Sequence, residues 1–302
     1  MSGDGDNEAV AASCCASCGI AEIDDVKLVP CDGCDLVKYC SDECREEHRP
    51  QHAEDCKKRA AELRDELLFK QPATTHLGDC PICCLPLPID VHALNVCCSK
   101  IICQGCDYSN KMREKEMRLA HSCPFCREAL PKTDEGVEKQ NMKRVEMNDP
   151  AALCHQGMEQ RKRGDYNGAF EYLSKAAKLG DVEAHYRMSA LYRDGEGVEQ
   201  DRRKEIYHME EAAIGGHPKA RLCLGCKEMF WGDYESAVKH YIIAATQGED
   251  GPLKLLMDLF KGGIVSKEDL AATLRAQKAA VDATKSAQRV AAKEYYRKKN
   301  TR

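Results

Sequence analysis

Cysteines dominate the chemistry that this sequence could perform. The chain has 20 cysteines in 302 residues, and all but three of them precede residue 127. Many form Cys-x-x-Cys pairs, a spacing that aims two thiolates at one point, as a tetrahedral zinc site requires. The pairs are Cys15/Cys18, Cys31/Cys34, Cys80/Cys83, Cys103/Cys106 and Cys123/Cys126. Their density predicts two modules that are built around zinc.

A disulfide framework is the competing interpretation of these cysteines. The first residues, SGDGDNE after Met1, are acidic and rich in glycine and do not resemble an export signal. Without export the thiols stay reduced, and dense cysteine then favours metal binding. The sequence also lacks a run of about 20 apolar residues that could cross a membrane. We therefore expect an intracellular protein, cytoplasmic or nuclear, and its net charge of −5 argues against nucleic-acid binding.

The first predicted module spans residues 15–56 and offers seven cysteines and one histidine. Cys40/Cys44 and His52/Cys56 are i, i+4 pairs, which place both ligands of a pair on one face of a helix. This arrangement resembles the MYND-type zinc finger, a protein-binding module. The resemblance implies two interleaved sites, formed by Cys15, Cys18, Cys40 and Cys44 and by Cys31, Cys34, His52 and Cys56. His48, one turn from Cys44 and from His52, is an alternative ligand.

The second predicted module spans residues 80–127 and is similar to a RING-type zinc finger. The resemblance implies a first site formed by Cys80, Cys83, Cys103 and Cys106, and a second site that contains Cys123 and Cys126. Lys100 stands where the usual RING has a histidine ligand, and a protonated lysine cannot bind zinc. Cys97 and Cys98 then complete the second site, with His121 as the alternative to Cys97. The two modules together predict four zinc ions per chain.

The RING resemblance also implies a partner, a ubiquitin-conjugating enzyme. Ile82 and Pro124 match positions that form an apolar contact with that enzyme, and Arg127 matches a basic residue that holds the ubiquitin conjugate closed. Such catalysis is positioning, so no cysteine is expected to act as a nucleophile. In the alternative interpretation these residues are only good turn formers and an ordinary surface arginine.

The second half of the chain contains a repeat between residues 149 and 265. The segments AAKLGDVEA (176–184), AAIGGHPKA (212–220) and AATQGEDGP (244–252) recur, and each predicts a helix that ends at a glycine. The middle copy resembles Sel-one-like repeats, relatives of the tetratricopeptide type. The resemblance implies stacked helix pairs with an extended protein-binding surface.

The predicted fold class is therefore small zinc-stabilised α+β modules followed by an all-α helical-repeat solenoid. Residues 57–79 form a linker in which the helix of the first module extends through Leu68. Residues 132–148 form a second, partly helical linker. Residues 266–302 are predicted to be one long helix that caps the solenoid and ends in a basic tail. Its basic stripe consists of Lys285, Arg289, Lys293 and Arg297.

Three functions remain open from the sequence. The first is a RING-type ubiquitin ligase that recruits clients through its repeats and its MYND finger. The second is a scaffold with several protein-binding modules and no catalysis. The third is a transcription or chromatin adaptor.

Overall fold

The computed structural model describes residues 14–22, 25–90 and 92–300. The chain divides into two compact units, one that ends at Lys70 and one that begins at Gln71. Among the helices of these described residues, none combines the length and the apolar composition that a membrane span requires.

The first unit contains a two-stranded antiparallel sheet and one long helix. Strand β1 (Val29–Pro30) pairs with β2 (Lys38–Tyr39), and helix α1 follows at Asp42–Leu68. Ser41 caps the helix, since its Oγ accepts a hydrogen bond from the N–H of Cys44 at 3.3 Å. The end of α1 at Leu68 confirms the predicted extension of this helix beyond the first module.

The second unit begins with the second cysteine module. Strands β3 (His92–Asn95) and β4 (Lys100–Cys103) form an antiparallel hairpin, and helix α2 follows at Gln104–Glu116. The sulfur of Cys103 caps α2 by accepting a hydrogen bond from the N–H of Cys106 at 3.4 Å. Leu87 and Ile102 are buried beside cysteine side chains in a small core. Such a core is too small to fold this module without the free energy of metal binding.

The remaining helices form stacked pairs. In the described residues they are α3 (Asp134–Glu146), α4 (Pro150–Lys162), α5 (Tyr166–Lys178), α6 (Val182–Asp194), α7 (Arg202–Ile214), α8 (Pro218–Trp231), α9 (Tyr234–Thr246), α10 (Gly251–Lys261), α11 (Lys267–Ala283) and α12 (Ala287–Asn300). Helix α4 packs on α5, α6 on α7 and α8 on α9. This architecture confirms the predicted all-α solenoid.

Two glycines show how the repeat is encoded. A Cβ atom on Gly157 of α4 would lie 2.7 Å from Cγ of Leu173 on α5, and one on Gly225 of α8 would lie 2.5 Å from Cε1 of Tyr241 on α9. Both glycines therefore admit a large side chain from the paired helix. The second pair lies 68 residues after the first (225 − 157 and 241 − 173). This is the sum of the spacings of 36 and 32 residues between the repeated segments that begin at residues 176, 212 and 244.

Left-handed glycines end the second helix of each pair, as predicted. The φ angles of Gly180, Gly216 and Gly248 are +84°, +86° and +95°. These glycines follow α5, α7 and α9 within two residues of the last helical position. Glycine adopts this conformation without the steric cost of a Cβ atom, so it reverses the chain between one helix and the next.

The prediction of one capping helix over 266–302 is wrong. The structure has two helices, α11 and α12, and the side chains between them explain the break. The hydroxyl of Thr284 donates to the carbonyl of Val281 at 2.8 Å, and that of Ser286 accepts from the N–H of Arg289 at 3.3 Å. Helix α11 packs on α9 and α10, whereas α12 packs on α2 of the second cysteine module.

The segment 132–148 is not a free linker. Helix α3 occupies most of it and packs against α4. The buried amide of Asn141 donates to the carbonyl of Ala152 at 3.2 Å and to Oε1 of Gln156 at 3.1 Å. The second cysteine module and the repeats consequently belong to one compact unit, although the sequence predicts separate domains.

Candidate metal centres

Sulfur and imidazole ligands meet at four points among the described residues. Within each group the potential ligand atoms all lie within 4.8 Å of one another. A tetrahedral zinc ion with Zn–S bonds of about 2.3 Å requires sulfur atoms about 3.8 Å apart. Neighbouring sulfur pairs in these groups are separated by 3.4–3.9 Å, so the donor sets fit zinc. The groups are Cys15, Cys18, Cys40 and Cys44; Cys31, Cys34, His52 and Cys56; Cys80, Cys83, Cys103 and Cys106; and Cys97, Cys98, Cys123 and Cys126.

Four of the Cys-x-x-Cys pairs adopt the same type of backbone turn. The N–H of the residue after the second cysteine donates to the carbonyl of the first, at 2.9–3.3 Å. That residue has a positive φ, which costs energy for any side chain other than glycine. The turn directs both thiols to one side, as a shared metal requires. The four residues are Gly19 (φ +76°), Asp35 (+56°), Cys84 (+54°) and Arg127 (+63°).

In the first module, α1 supplies Cys44 to one group and both His52 and Cys56 to the other. Cys40 lies just before the helix, so the prediction that Cys40 and Cys44 share one helix face is wrong. Cys44 lies in the first turn of the helix, and His52 lies further along it with its Nε2 3.0 Å from Sγ of Cys34. His48 lies outside both groups. Its Nδ1 is hydrogen-bonded to the hydroxyl of Tyr39 at 3.1 Å, and its ring stacks on His52 at 5.7 Å. His48 therefore supports a ligand instead of binding metal itself.

The thiols in the group that contains Cys15 and Cys40 differ strongly in pKa. Burial raises the pKa of Cys15, but backbone N–H donors at Cys18 and Cys40 outweigh it and lower that pKa to about 6. A hydrogen bond with Cys18 raises the pKa of Cys40 to about 12. Without metal the group therefore shares protons between its sulfur atoms. A divalent cation can displace those protons, which makes metal binding depend on pH.

The second group of the second module includes both adjacent cysteines. Sγ of Cys97 lies 3.4 Å from Sγ of Cys126, and Sγ of Cys98 lies 3.9 Å from Sγ of Cys123. His121, the predicted alternative, is turned elsewhere. Its Nδ1 lies 2.6 Å from Oε2 of Glu114, and 57% of its side chain is exposed.

Glu114 is a functional residue that the sequence does not reveal. It is only 2% exposed and accepts hydrogen bonds from the N–H and the hydroxyl of Ser122, at 3.0 and 2.8 Å. Although burial raises the pKa of its carboxyl group, these bonds and the bond with His121 lower it overall. Glu114 thus fixes the chain next to the ligand Cys123. No spacing rule distinguishes it from Glu116, two positions later.

The residues predicted to contact a conjugating enzyme lie in the same turns. Ile82 stands between the first two ligands of its module and is 41% exposed. Pro124 is half-buried in the equivalent turn between Cys123 and Cys126, and Arg127 is exposed directly after it.

A fifth group of possible ligands is better explained as a hydrogen-bond network. Nitrogen and oxygen atoms of His76, Glu183 and His217 also lie within 4.8 Å of one another. However, Nδ1 of His217 accepts the N–H of Ala220 at 3.1 Å, so its Nε2 carries the proton and donates to Glu183 at 3.1 Å. The ring of His76 stacks on that of His217 with centroids 4.3 Å apart. The backbone N–H of His76 donates to the carbonyl of Gly216 at 3.1 Å. The network therefore fastens the start of the second unit to the solenoid.

Profiles of known protein modules match two parts of this chain. The profile of the MYND finger matches residues 15–56, and that of the Sel1 repeat matches residues 151–181, 182–217 and 227–249. A Sel1 repeat protein from Oxalobacter formigenes is 21% identical over 57% of this chain and 71% of its own, with a TM-score of 0.44. A protective antigen of uropathogenic Escherichia coli strains with an SLR fold is 19% identical over 60% of this chain and 39% of its own, with a TM-score of 0.40. A search of curated proteins gave no match. The chain thus contains a MYND finger, which binds zinc, and Sel1 repeats, and both are protein-interaction modules.

Proposed function

We propose that this chain is a RING-type ubiquitin ligase that recruits client proteins through its MYND finger and its Sel1 repeats. The observation that carries the proposal is the order of ligands in the second module. Along the chain, its first and third ligand pairs form one group, and its second and fourth pairs form the other. This is the interleaved order that the RING resemblance implies, and the ligand pairs of the MYND finger have the same order.

Zinc has a structural role in this proposal. Each of the four groups holds one ion with four protein ligands, and a closed site of this kind leaves no position for a reactive water. Zinc therefore supplies folding free energy and rigid turns. The chemistry of ubiquitin transfer belongs to the bound conjugating enzyme, and the module contributes by positioning it.

The exposed side chains of the zinc-held turns support a binding role. Ile82 is an aliphatic residue that is 41% exposed on a turn fixed at both ends by ligands. Such a residue loses little conformational entropy on binding, because its backbone is already ordered. Arg127 directly follows the last ligand pair and is exposed, at the position where the RING resemblance implies a basic residue that contacts a bound conjugate.

Client binding is assigned to the repeats because of the surfaces that they present. A cavity of about 630 Å³ lies between the second module and helices α4–α6. Its walls combine apolar side chains from both sides, including Leu94 and Ile101 from the hairpin and Met158 and Tyr186 from the repeats. This volume lies within the range of about 300–1,000 Å³ that is typical of ligand pockets.

An autoubiquitination assay on the full chain with a panel of conjugating enzymes tests the proposal. Ile82→Ala should reduce chain formation more than tenfold, because loss of a buried aliphatic contact costs about 2 kcal/mol. Leu119→Ala is the matched control, since Leu119 is 50% exposed in the same module but outside the ligand turns. Arg127→Gly should also lower activity. Glycine is the suitable substitution there because the φ of Arg127 is +63°.

Two results would contradict the proposal. A chain that forms no ubiquitin products with any conjugating enzyme is not a ligase. A chain that stays active in both Ile82→Ala and Arg127→Gly is a ligase that works by another surface.

A scaffold without catalysis is the second candidate, and one observation favours it. Helix α12 packs on α2, so the second module belongs to the same compact unit as the solenoid. If the chain is a scaffold, clients should bind the repeats equally well in wild type and in Ile82→Ala, and no ubiquitin transfer should occur.

A further inference from the structure

The C-terminal helix binds the second cysteine module through specific contacts. Tyr295 of α12 packs against Tyr108 of α2 with ring centroids 5.0 Å apart. The hydroxyl of Tyr296 donates to Oδ2 of Asp107 at 3.3 Å and accepts from Nζ of Lys111 at 3.3 Å. Ala292 is completely buried. These contacts join α12 to residues 107–111 of α2 through packing, hydrogen bonds and a buried alanine.

Arg289 of α12 directly contacts one of the candidate metal ligands. Its Nη2 donates to Sγ of Cys83 at 3.3 Å and to the carbonyl of Leu85 at 3.1 Å. Its Nη1 donates to the carbonyl of Pro86 at 2.6 Å. Cys83 and Arg289 are 206 residues apart in the sequence. One guanidinium group thus holds a zinc ligand and the turn that follows it.

The second ligand pair of the same group also touches Arg289. Gly105 lies between Cys103 and Cys106, and a Cβ atom there would lie 2.7 Å from Cγ, 2.9 Å from N and 3.0 Å from Cα of Arg289. No side chain fits at these distances without displacing the backbone of α12. Both ligand pairs of this group are therefore in direct contact with α12.

The charge of the group explains why a guanidinium group is suitable here. Four thiolates around one Zn²⁺ carry a net charge of about −2. A cationic donor that is hydrogen-bonded to a ligand sulfur stabilises the metal-bound thiolate and fixes its orientation.

We propose that Arg289 is an outer-sphere partner of the zinc ion held by Cys80, Cys83, Cys103 and Cys106, and that zinc binding and docking of α12 stabilise each other. The coupling is reciprocal, because any contact that favours the metal-bound state must be favoured by the metal. Loss of this zinc ion releases α12 and uncovers the face of α2 that it occupies. This inference rests on the assignment of zinc to the group, but it does not depend on ligase activity.

Zinc retention in the full chain tests the coupling. The zinc-loaded protein is titrated with a chelator, and native mass spectrometry counts the ions that remain. Arg289→Ala should release one ion at a 10–100-fold lower chelator concentration, the usual effect of removing an outer-sphere partner. Lys293→Ala is the control, because Lys293 is an exposed cation one turn later on α12. It should behave like the wild type.

A second variant separates the coupling from a simple loss of charge. Gly105→Ala keeps Arg289 but forces α12 away from the ligand pair. Amide hydrogen exchange over residues 80–87 and 287–300 then reports the site and the helix independently. We expect both segments to lose protection together, in this variant and in the wild type during chelation.

The proposal is overturned if Arg289→Ala retains all its zinc like the wild type. It is also overturned if α12 undocks in Gly105→Ala while zinc retention is unchanged. A wild-type chain that never binds zinc at residues 80–106 would instead refute the metal assignment, which is a different failure and is visible in the initial ion count.

Discussion

Replacing Cys97 by serine should remove one zinc ion from the chain, whereas replacing His121 by alanine should leave the zinc count unchanged. The two residues are the alternatives for one ligand position. Sγ of Cys97 lies 3.4 Å from Sγ of Cys126, while the imidazole of His121 is hydrogen-bonded to Glu114. A serine hydroxyl is not deprotonated at neutral pH, so Cys97→Ser leaves only three thiolates for the metal.

The expected magnitudes differ enough to separate the two variants. A structural zinc ion contributes about 10–16 kcal/mol of apparent binding free energy in small zinc-dependent folds. Losing one of four ligands should therefore unfold the hairpin and its following turn at neutral pH. His121→Ala removes one hydrogen bond to a carboxylate, worth about 1.5–3 kcal/mol when it is buried. Because 57% of the His121 side chain is exposed, we expect a loss of only about 1 kcal/mol.

Native mass spectrometry gives the zinc count, and thermal unfolding gives the stability of each variant. Cys84→Ser is the matched control, since Cys84 is an exposed cysteine of the same module that belongs to none of the four groups. It should keep every ion. If His121→Ala loses an ion while Cys97→Ser keeps it, His121 leaves Glu114 to bind zinc in solution and the reasoning from these distances is refuted.

Two further predictions concern the whole chain. Excess chelator should unfold the cysteine modules but leave most of the helical circular dichroism, because the repeats have aliphatic cores of their own, such as the one around Leu173. Loss of that signal would mean that the cysteine modules and the repeats unfold together. Acidification from pH 6.5 to pH 4 should lower the free energy of unfolding. Burial, and then the charge of His185, lower the pKa of His208 to about 4 in the folded chain. In this pH range the unfolded chain therefore binds a proton that the folded chain does not. Urea titrations across this range should show a weaker pH dependence for His208→Asn, and an unchanged dependence would contradict the assignment.

Local spacing explains which parts of this structure the sequence predicts. Zinc ligands are encoded in turns and helix faces a few residues long, and the left-handed glycines mark helix ends. Gly180, for example, follows α5 where the sequence predicts it. The i, i+4 pair of His52 and Cys56 on α1 likewise needs no information from elsewhere in the chain. These features depend on contacts between near neighbours, which a single sequence displays.

The missed features depend on partners that are far apart in the chain. Glu183 is one of several acidic residues in the repeats, and only the fold brings His76 and His217 to it. Glu114 is likewise an unremarkable helical glutamate until Ser122 and His121 return to it. Each of these carboxylates is recognisable only when its donors are known, and no periodic pattern specifies them.

The basic stripe of the last helix shows why the domain boundaries also could not be predicted. Cations at every fourth position are typical of a solvated helix face, and Lys293 does remain exposed. Arg289 has the same spacing, yet it reaches carbonyl and sulfur atoms more than 200 residues earlier. A stripe of this kind therefore does not show which of its members makes contacts with distant parts of the chain. Motifs locate the ligands of each module, but contacts such as that of Arg289 decide which modules belong to one compact unit.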